Sequence, residues 1–387
     1  MAVDPFAPAR LGPLTLRNRV VKAATFEGST PHGRVTDRLV DFHAAVARGG
    51  AGLTTVAYCA VSPDGRVHRH CMVLDDRTAS DLRRLTDVVH AEGAAASAQL
   101  GHAGLVADAR SNGMRSLAPS RRFSPPAKGV VPAATLADLE RVRGDFARAA
   151  RCAVEAGFDA VEVHLGHGYL LSSFLSPKLN KRSDGYGGEL EARARFPREV
   201  LRDVRAAVGR DRAVTVKLNM TDGVPGGFWV EESVRVAKML QDDGDVDAIE
   251  LTGGSSLENA MYFFRGEVPL AEMLRTQPAY VRPMMRLVAP KLFPRYPFEE
   301  AFFLPYSRQF RAALDLPLIY LGGVNRLDTI ETVLDEGFEF VAMGRALLRE
   351  PDLVRTFESA KRSEGLCVHC NKCMPTIYTG TRCVLND

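Results

Sequence analysis

The chain alternates amphipathic stretches with apolar runs, and a recurring phrase marks where one gives way to the other. In this phrase an acidic residue and a glycine are followed by a short turn and then by apolar residues. It occurs at Glu155–Val163, Asp243–Leu251 and Glu336–Met343. A glycine suits the end of a helix because it adopts the left-handed conformation that satisfies the last carbonyl groups. The apolar run suits a parallel strand buried on both faces. The phrase therefore predicts repeated helix-to-strand units.

Similar patterns fill the rest of the chain. The apolar runs predict eight strands: Val20–Ala24, Gly52–Ala57, Ala94–Gln99, Ala160–His164, Val214–Asn219, Ala248–Thr252, Leu318–Leu321 and Phe340–Met343. The amphipathic stretches between them predict helices at Asp37–Ala47, Thr78–Glu92, Leu136–Ala156, Glu189–Val208, Glu231–Asp242 and Leu327–Glu336. Alternating strands and helices form a closed barrel or a doubly wound sheet. Eight strands, with no G-x-G-x-x-G after the first, favour an α/β fold of the (β/α)8 TIM barrel type.

Two segments interrupt the alternation. We predict a barrel domain over residues 1–360, with 255–315 as an extended insertion after strand six, and a short cysteine-rich tail over 361–387. The insertion is rich in Pro, Phe, Tyr, Met and Arg. Such a composition suits a packed crossover with extra helices, a substrate lid, or a surface that contacts a membrane or a partner. The tail follows the last barrel helix and is expected to lie over a barrel end.

Charge and cysteine usage narrow the class of protein. The chain has 50 basic and 47 acidic residues among 387, which predicts no nucleic-acid partner. It contains no apolar stretch long enough for a transmembrane helix, and its first fifteen residues do not resemble a signal peptide. Four of the seven cysteines fall in the last twenty-one residues, which is unlike a disulfide framework. These features predict a cytoplasmic protein in a reducing compartment.

The C-terminal ends of barrel strands carry the active site in this fold. Strand three ends at Gln99, whose amide both donates and accepts and so suits the pyrimidine edge of a flavin, although a structural role fits equally. Strand four runs into His164, His167 and Tyr169, an array that can polarise a carbonyl group and supply a proton. Structural histidines capping the strand, or a metal-binding pair, are the alternatives. Lys217, within strand five, is costly to bury unless paired, which makes it a candidate to face an anion at the barrel mouth.

Strands seven and eight end in glycine-containing turns. Glycines there expose backbone N–H groups at helix starts, and an arginine adds a fork of donors. The loops after these two strands are the usual phosphate site of the barrel. The predicted phosphate ligands are Gly323, Asn325, Gly344 and Arg345.

The tail carries Cys367, Cys370, Cys373 and Cys383. The first three are separated by gaps of two residues, so a short loop can turn their thiolates toward one point. Their spacing suits an iron–sulfur cluster or zinc, and bare thiols remain an alternative.

A long phrase places the chain in a known family by resemblance. The run from His164 through Pro177, Asn180–Gly188 and Arg193 to Phe196 resembles the Old Yellow Enzyme family of FMN-dependent NADH:flavin oxidoreductases. The likeness covers most of residues 11–354. The tail resembles the [4Fe–4S] segment of larger members such as 2,4-dienoyl-CoA reductase and trimethylamine dehydrogenase, although its last gap is shorter.

The resemblance implies an FMN barrel reduced by NADH or NADPH. It assigns Gln99 to the flavin pyrimidine, His164 and His167 to the substrate carbonyl, and Tyr169 to proton donation. It places further residues along the isoalloxazine ring: Ala23, Ala24, Thr25 and, through its backbone, Tyr58. Two positions depart from the family. Lys217 stands where arginine is common, and Phe26 where Thr or Cys is common. The lysine keeps the charge but loses the bidentate fork.

The implied activity is that of an ene-reductase. Hydride passes from NAD(P)H through flavin N5 to the activated C=C bond of an α,β-unsaturated carbonyl compound. One alternative is a flavin dehydrogenase or demethylase that passes electrons to a cluster in the tail. Another is a redox module that turns over no substrate. A small electrophilic alkene is the expected partner, and a homo-oligomer is compatible with the sequence.

Overall fold

Eight parallel strands close into a barrel in the computed structural model, which describes residues 2–386. In chain order they are β1 (Val20–Lys22), β2 (Leu53–Ala60), β3 (Ala95–Gly101), β4 (Ala160–Leu165), β5 (Ala213–Asn219), β6 (Ala248–Thr252), β7 (Leu318–Leu321) and β8 (Phe340–Met343). Each strand pairs with its neighbours in sequence, and β8 closes the ring against β1. The predicted (β/α)8 barrel is confirmed, and every predicted strand overlaps an observed one.

The predicted helices are also present. The helices that follow the first seven strands span Asp37–Arg48, Asp76–Ala91, Leu136–Glu155, Leu190–Val208, Val230–Asp243, Leu304–Ala313 and Leu327–Asp335. After β8 come Arg345–Arg349 and Leu353–Glu358. The second helix begins two residues before its predicted start because the Asp75 side chain caps it, accepting from the backbone N–H groups of Arg77 and Thr78.

One end of the barrel is sealed by apolar residues. A hairpin of Ala9–Leu11 and Leu14–Leu16 packs beneath the strands. Its side chains share a buried cluster with small residues at the strand starts, including Ala160, Ala213 and Ala248. This plug occupies the N-terminal end of the barrel, so polar chemistry is confined to the opposite, C-terminal end.

The insertion and the tail both gather at that C-terminal end. The insertion contains helices at Leu270–Arg275, Arg282–Leu292 and Leu304–Ala313. The tail is tied to the loop after β1, because Thr381 donates its backbone N–H to the Glu27 carbonyl (2.7 Å) and its hydroxyl to the Phe26 carbonyl (2.6 Å). The tail therefore lies over a barrel end, as expected. Among the described residues, the helices are too short or too polar to cross a bilayer.

Candidate active site

The end of β4 brings two imidazoles and a phenol together. The ring of His164 lies 5.1 Å from that of His167 and 4.6 Å from that of Tyr169, measured between centroids. His167 has a left-handed backbone (φ +60°). Its backbone N–H donates to Asn219 Oδ1 (3.1 Å), and its Nε2 contacts Thr252 Oγ1 (3.0 Å). Polar ends of β5 and β6 thus orient the His167 ring.

Both imidazoles are neutral at physiological pH. Burial, followed by the nearby His167 and Lys217, places the pKa of His164 well below its ordinary value. Burial and Lys217 lower the pKa of His167 to about 3. A neutral imidazole carries one N–H donor and one acceptor nitrogen. The Nδ1 atom of His164 is buried and has no hydrogen-bond partner among the described atoms, so it is free to bind a ligand.

Tyr169 belongs to an apolar patch at the ends of the first two strands. Its ring lies 5.4 Å from that of Tyr58, whose hydroxyl donates to the Gly65 carbonyl (3.1 Å). Ala24 and Phe26 pack against the same patch. The structure therefore brings Tyr58 and the loop after β1 beside the β4 array, as the resemblance implies.

Lys217 sits in a buried polar chain that spans four neighbouring strands. Its Nζ lies 2.8 Å from Glu250 Oε1 on β6 and 3.2 Å from Glu162 Oε1 on β4. Gln99 on β3 donates to the same oxygen of Glu162 (2.7 Å). Burial favours loss of the Lys217 proton, but the two carboxylates outweigh it and raise the lysine pKa. The sequence reasoning singled out Gln99 and Lys217 and missed both glutamates, although each interrupts an apolar strand.

A second buried ion pair, also missed, lies behind β1. Lys22 Nζ contacts Glu27 Oε1 (2.7 Å) and the Thr25 hydroxyl (2.8 Å). The other oxygen of Glu27 accepts the backbone N–H of Ala57 (2.7 Å). Although burial opposes ionisation, Lys22 and His43 lower the Glu27 pKa to about 2. The pair therefore holds Thr25 and the backbone of β2 at Ala57, next to Tyr58. Thr25 and Tyr58 are two of the residues that the resemblance places along the isoalloxazine ring. Lys22, an ionisable residue within the apolar run of β1, could have indicated this ion pair from the sequence.

The predicted phosphate residues meet at the ends of β7 and β8, where they also hold the insertion and the tail. Gly323 has a left-handed backbone (φ +77°). The backbone N–H of Asn325 donates to Glu300 Oε2 (3.1 Å), and its side-chain amide donates to the Gly365 carbonyl (3.0 Å). Arg345 donates to the Arg265 carbonyl (2.8 Å). The side chains of Asn325 and Arg345 therefore face the tail as well as the strand ends.

The four tail cysteines line one cavity together with Arg345 and Asn371. Within the part of the chain that the structure describes, only Asp76, Cys152 and Glu155 bring three potential ligand atoms within 4.8 Å of one another. No three tail thiols are that close. A tetrahedral zinc site, with Zn–S bonds of about 2.3 Å, needs sulfurs about 3.8 Å apart.

The strand ends also fit FMN. Lys217 and Gln99 are a buried cation and a buried amide that both contact Glu162, and the Nδ1 of His164 has no partner among the described atoms. Gly323 and Gly344, in the turns after β7 and β8, are partly exposed, and Phe302 and the Glu299 carbonyl pack closely against Gly323. The barrel and this donor set define a flavin-dependent oxidoreductase.

Comparison with known proteins identifies the family. Residues 4–259 match the NADH:flavin oxidoreductase / NADH oxidase family, and the chain belongs to it. It is 65% identical over 382 residues to 4,4'-dithiodibutanoate disulfide reductase from Rhodococcus erythropolis, covering 99% of this chain and 95% of that protein. It is 35% identical to a metal reductase from Desulforamulus reducens, over 96% of this chain but only 52% of that protein.

The fold is shared with a solved family member. The Old Yellow Enzyme homologue from Zymomonas mobilis superimposes with a TM-score of 0.75 at 24% identity, covering 99% of this chain and 100% of that one. The predicted Old Yellow Enzyme membership is confirmed. The protein is an NAD(P)H-dependent flavin oxidoreductase that uses FMN.

Proposed function

We propose that this enzyme reduces the activated C=C bond of an α,β-unsaturated carbonyl compound with electrons from NADH or NADPH. The observation that carries this proposal is the array at the end of β4, where His164 lies 5.1 Å from His167 and 4.6 Å from Tyr169. Alkene reduction places negative charge on one oxygen and a proton on a nearby carbon. Two neutral N–H donors beside one phenol match that demand.

The two imidazoles bind the carbonyl oxygen in this proposal. Because burial keeps both rings neutral, each donates one N–H without adding a charge to the site. Donors fixed in advance are stabilising mainly where charge develops, so these bonds strengthen as the oxygen becomes negative. The contact of His167 with Thr252 fixes one of the two donors. Tyr169 then gives its proton to the α-carbon as a general acid.

FMN supplies a ring that takes hydride from the nicotinamide and passes it to the substrate. We assign its pyrimidine edge to Gln99 and Lys217, since these buried donors lie on β3 and β5, on either side of Glu162 on β4. The residues assigned to its ring are Ala23, Ala24, Thr25 and the backbone of Tyr58. Those assigned to its phosphate are Gly323, Asn325, Gly344 and Arg345.

Reduction of a small organic disulfide is a second candidate. It is favoured by the 65% identity to 4,4'-dithiodibutanoate disulfide reductase over almost the whole of both chains. The hydride forms an S–H bond on one sulfur, its electron pair breaks the S–S bond, and the other sulfur leaves as a thiolate. That thiolate takes one proton, so one hydride and one proton yield two thiols. His164 and His167 would donate to the leaving sulfur, and Tyr169 would protonate it.

We also propose that Cys367, Cys370, Cys373 and Cys383 hold a [4Fe–4S] cluster, because all four line one cavity. Cysteine thiolates are the usual ligands of such clusters. A cluster beside the strand ends could accept single electrons from the flavin. The dehydrogenase or demethylase alternative depends on this electron transfer.

One experiment separates the two substrate classes. Holoenzyme is reduced without air by one equivalent of NADH or NADPH and then mixed with 2-cyclohexenone or with 4,4'-dithiodibutanoate, while flavin absorbance is followed. Reoxidation by the enone with formation of the saturated ketone supports the first proposal. Reoxidation by the disulfide alone supports the second. Failure of both acceptors would overturn both assignments.

A further inference from the structure

Two carboxylates share one ammonium group in the layer beneath the imidazole pair. Glu162, Lys217 and Glu250 lie on the adjacent strands β4, β5 and β6, and each is at most 2% exposed. If all three ionise, the layer carries a net negative charge that solvent cannot reach. Burial of an uncompensated charge is costly. When two carboxylates lie close together, their repulsion raises the pKa of one of them. One of the two glutamates is therefore expected to hold a proton.

The hydrogen bonds distinguish the two glutamates. Glu162 accepts from Gln99 and also contacts Lys217, and hydrogen bonds to a carboxylate favour its charged form. Glu250 faces Lys217 Nζ at 2.8 Å, but neither of its oxygens makes a well-directed hydrogen bond. Glu250 is thus the less stabilised anion. Burial, partly opposed by Lys217 and reinforced by Glu162, raises its pKa to about 8.

The other groups near this layer do not change its net charge. On β7 the residue paired with Glu250 is the apolar Ile319, and on β3 the nearby polar residue is the neutral Gln99. His164 and His167 are neutral. Lys22 and Lys217 repel each other electrostatically, but the charge of Lys22 is balanced by its own partner, Glu27.

We propose that Glu250 is a positioning residue that carries a proton at neutral pH, leaving Glu162 to balance Lys217, and that its ionisation in mildly alkaline solution lowers the midpoint potential of bound FMN. Reduction by hydride adds a negative charge to the flavin. Ionised Glu250 then takes one proton from solvent as the flavin is reduced, because the added charge raises its proton affinity. This inference rests on FMN binding and not on which substrate is reduced.

The midpoint potential of the holoenzyme is measured from pH 6 to 10. One extra proton per two electrons is a tenfold change in equilibrium constant per pH unit, or 29.6 mV. We expect the potential of the unmodified enzyme to fall more steeply, by that amount per pH unit, from about pH 8 upward. Glu250→Gln, which imitates the protonated acid, should lack the extra fall. Glu162→Gln leaves Glu250 as the single carboxylate beside Lys217, so Glu250 should then be ionised throughout this range and the extra fall should be lost as well.

Infrared spectra of the oxidised holoenzyme provide an independent readout. A band from a protonated carboxyl should disappear between pH 7 and 10 and should be missing at all pH values in Glu250→Gln. The inference is overturned if Glu250→Gln keeps that band, or if it keeps the steep fall of potential. If Glu250→Gln does not fold, an unmodified enzyme whose slope does not steepen above pH 8 overturns it alone. None of these readouts requires an electron acceptor, so the substrate assignment can fail separately.

Discussion

Arg345 donates a hydrogen bond to Asn371 Oδ1 at 2.5 Å and so joins the end of β8 to the loop between Cys370 and Cys373. Asn371 in turn donates to the Glu267 carbonyl of the insertion (2.9 Å). Burial lowers the Arg345 pKa, while the nearby tail cysteines raise it. One guanidinium therefore stands between the assigned phosphate site and the cysteine cavity.

Arg345→Ala is expected to weaken FMN binding by about 1.5–3 kcal/mol, the range for a charge-assisted hydrogen bond. Fluorescence titration of the apoprotein with FMN measures the change. Asn371→Ala is the matched variant, because it removes the tail contact and keeps the guanidinium. If both variants lose FMN affinity equally, Arg345 acts only by holding the tail.

Tyr169→Phe is expected to slow reoxidation of the reduced enzyme by its acceptor by roughly 10²–10⁴-fold, the usual contribution of a general acid. Reduction by the nicotinamide should be nearly unchanged, since it needs no proton from this phenol. Stopped-flow absorbance resolves the two half-reactions. Tyr186→Phe, remote from this array and bonded to Glu199, is the control. Equal slowing of both half-reactions would make Tyr169 a packing residue.

His164→Ala and His167→Ala are each expected to weaken binding of a phenolic ligand and to reduce turnover. The double variant should lose less than the sum, because both rings serve one oxygen and their effects are coupled. Ligand titration of the oxidised flavin gives the affinities. His90→Ala, which removes a partly exposed hydrogen bond with Asp159, serves as the control. Unchanged affinity in both single variants would exclude a shared role in binding the oxygen.

Protein purified without air is expected to contain about four iron atoms per chain, as a [4Fe–4S] cluster requires. Cys370→Ala should remove most of this iron. Cys59→Ala is the control, since Cys59 is a buried thiol of β2 that does not line the tail cavity. Less than about a tenth of an equivalent of both iron and zinc in the unmodified protein would leave the cysteines as bare thiols and remove the support for the oxidative alternative.

The buried imidazoles predict a loss of stability in mild acid. The folded-state pKa of His164 is lowered by burial first and then by His167 and Lys217. An unfolded imidazole takes up a proton near pH 6.5, so below that pH the unfolded chain binds more protons than the folded one. The contribution of His164 to the free energy of unfolding is fully present above pH 6.5 and is lost as the pH falls toward its folded-state pKa.

Below pH 6.5 the free energy of unfolding should fall by about 1.4 kcal/mol per pH unit for one such group. Urea unfolding of the FMN-saturated protein between pH 7.5 and 5 measures it. His164→Gln should make the slope shallower by up to that amount, and His90→Gln provides the exposed control. Parallel slopes for His164→Gln and the unmodified protein would contradict a neutral buried His164.

The sequence pattern was sufficient for the barrel but not for the full polar network at its mouth. Strands and helices follow from local periodicity, and their predicted ends differ from the structure by a few residues. Lys217 was recognisable because a lysine in an apolar run needs a partner. Its partners Glu162 and Glu250 lie 55 and 33 residues away. Only the pairing of β4, β5 and β6 brings them together, and that register is a property of the closed barrel.

The tail shows the same limit. The spacing of the cysteines predicted convergence on one point, and all four do line one cavity. The contacts of Asn325 with Gly365 and of Arg345 with Asn371 depend instead on where the tail docks. Nothing local to Asn325 or Arg345 distinguishes a side chain that faces a phosphate from one that also holds a neighbouring segment.

The pairing of β1 with β8 has a consequence for how the protein is made. Val20 pairs with Val341, so the barrel cannot close until a strand more than three hundred residues downstream has left the ribosome. Contacts this distant in sequence form slowly, and long chains tend to populate partly folded states on the way. Thr381 reaches the loop after β1 later still. Synthesis therefore exposes an open sheet with unpaired edges, and the strand ends that would hold FMN are complete only after β8 and Thr381 have emerged.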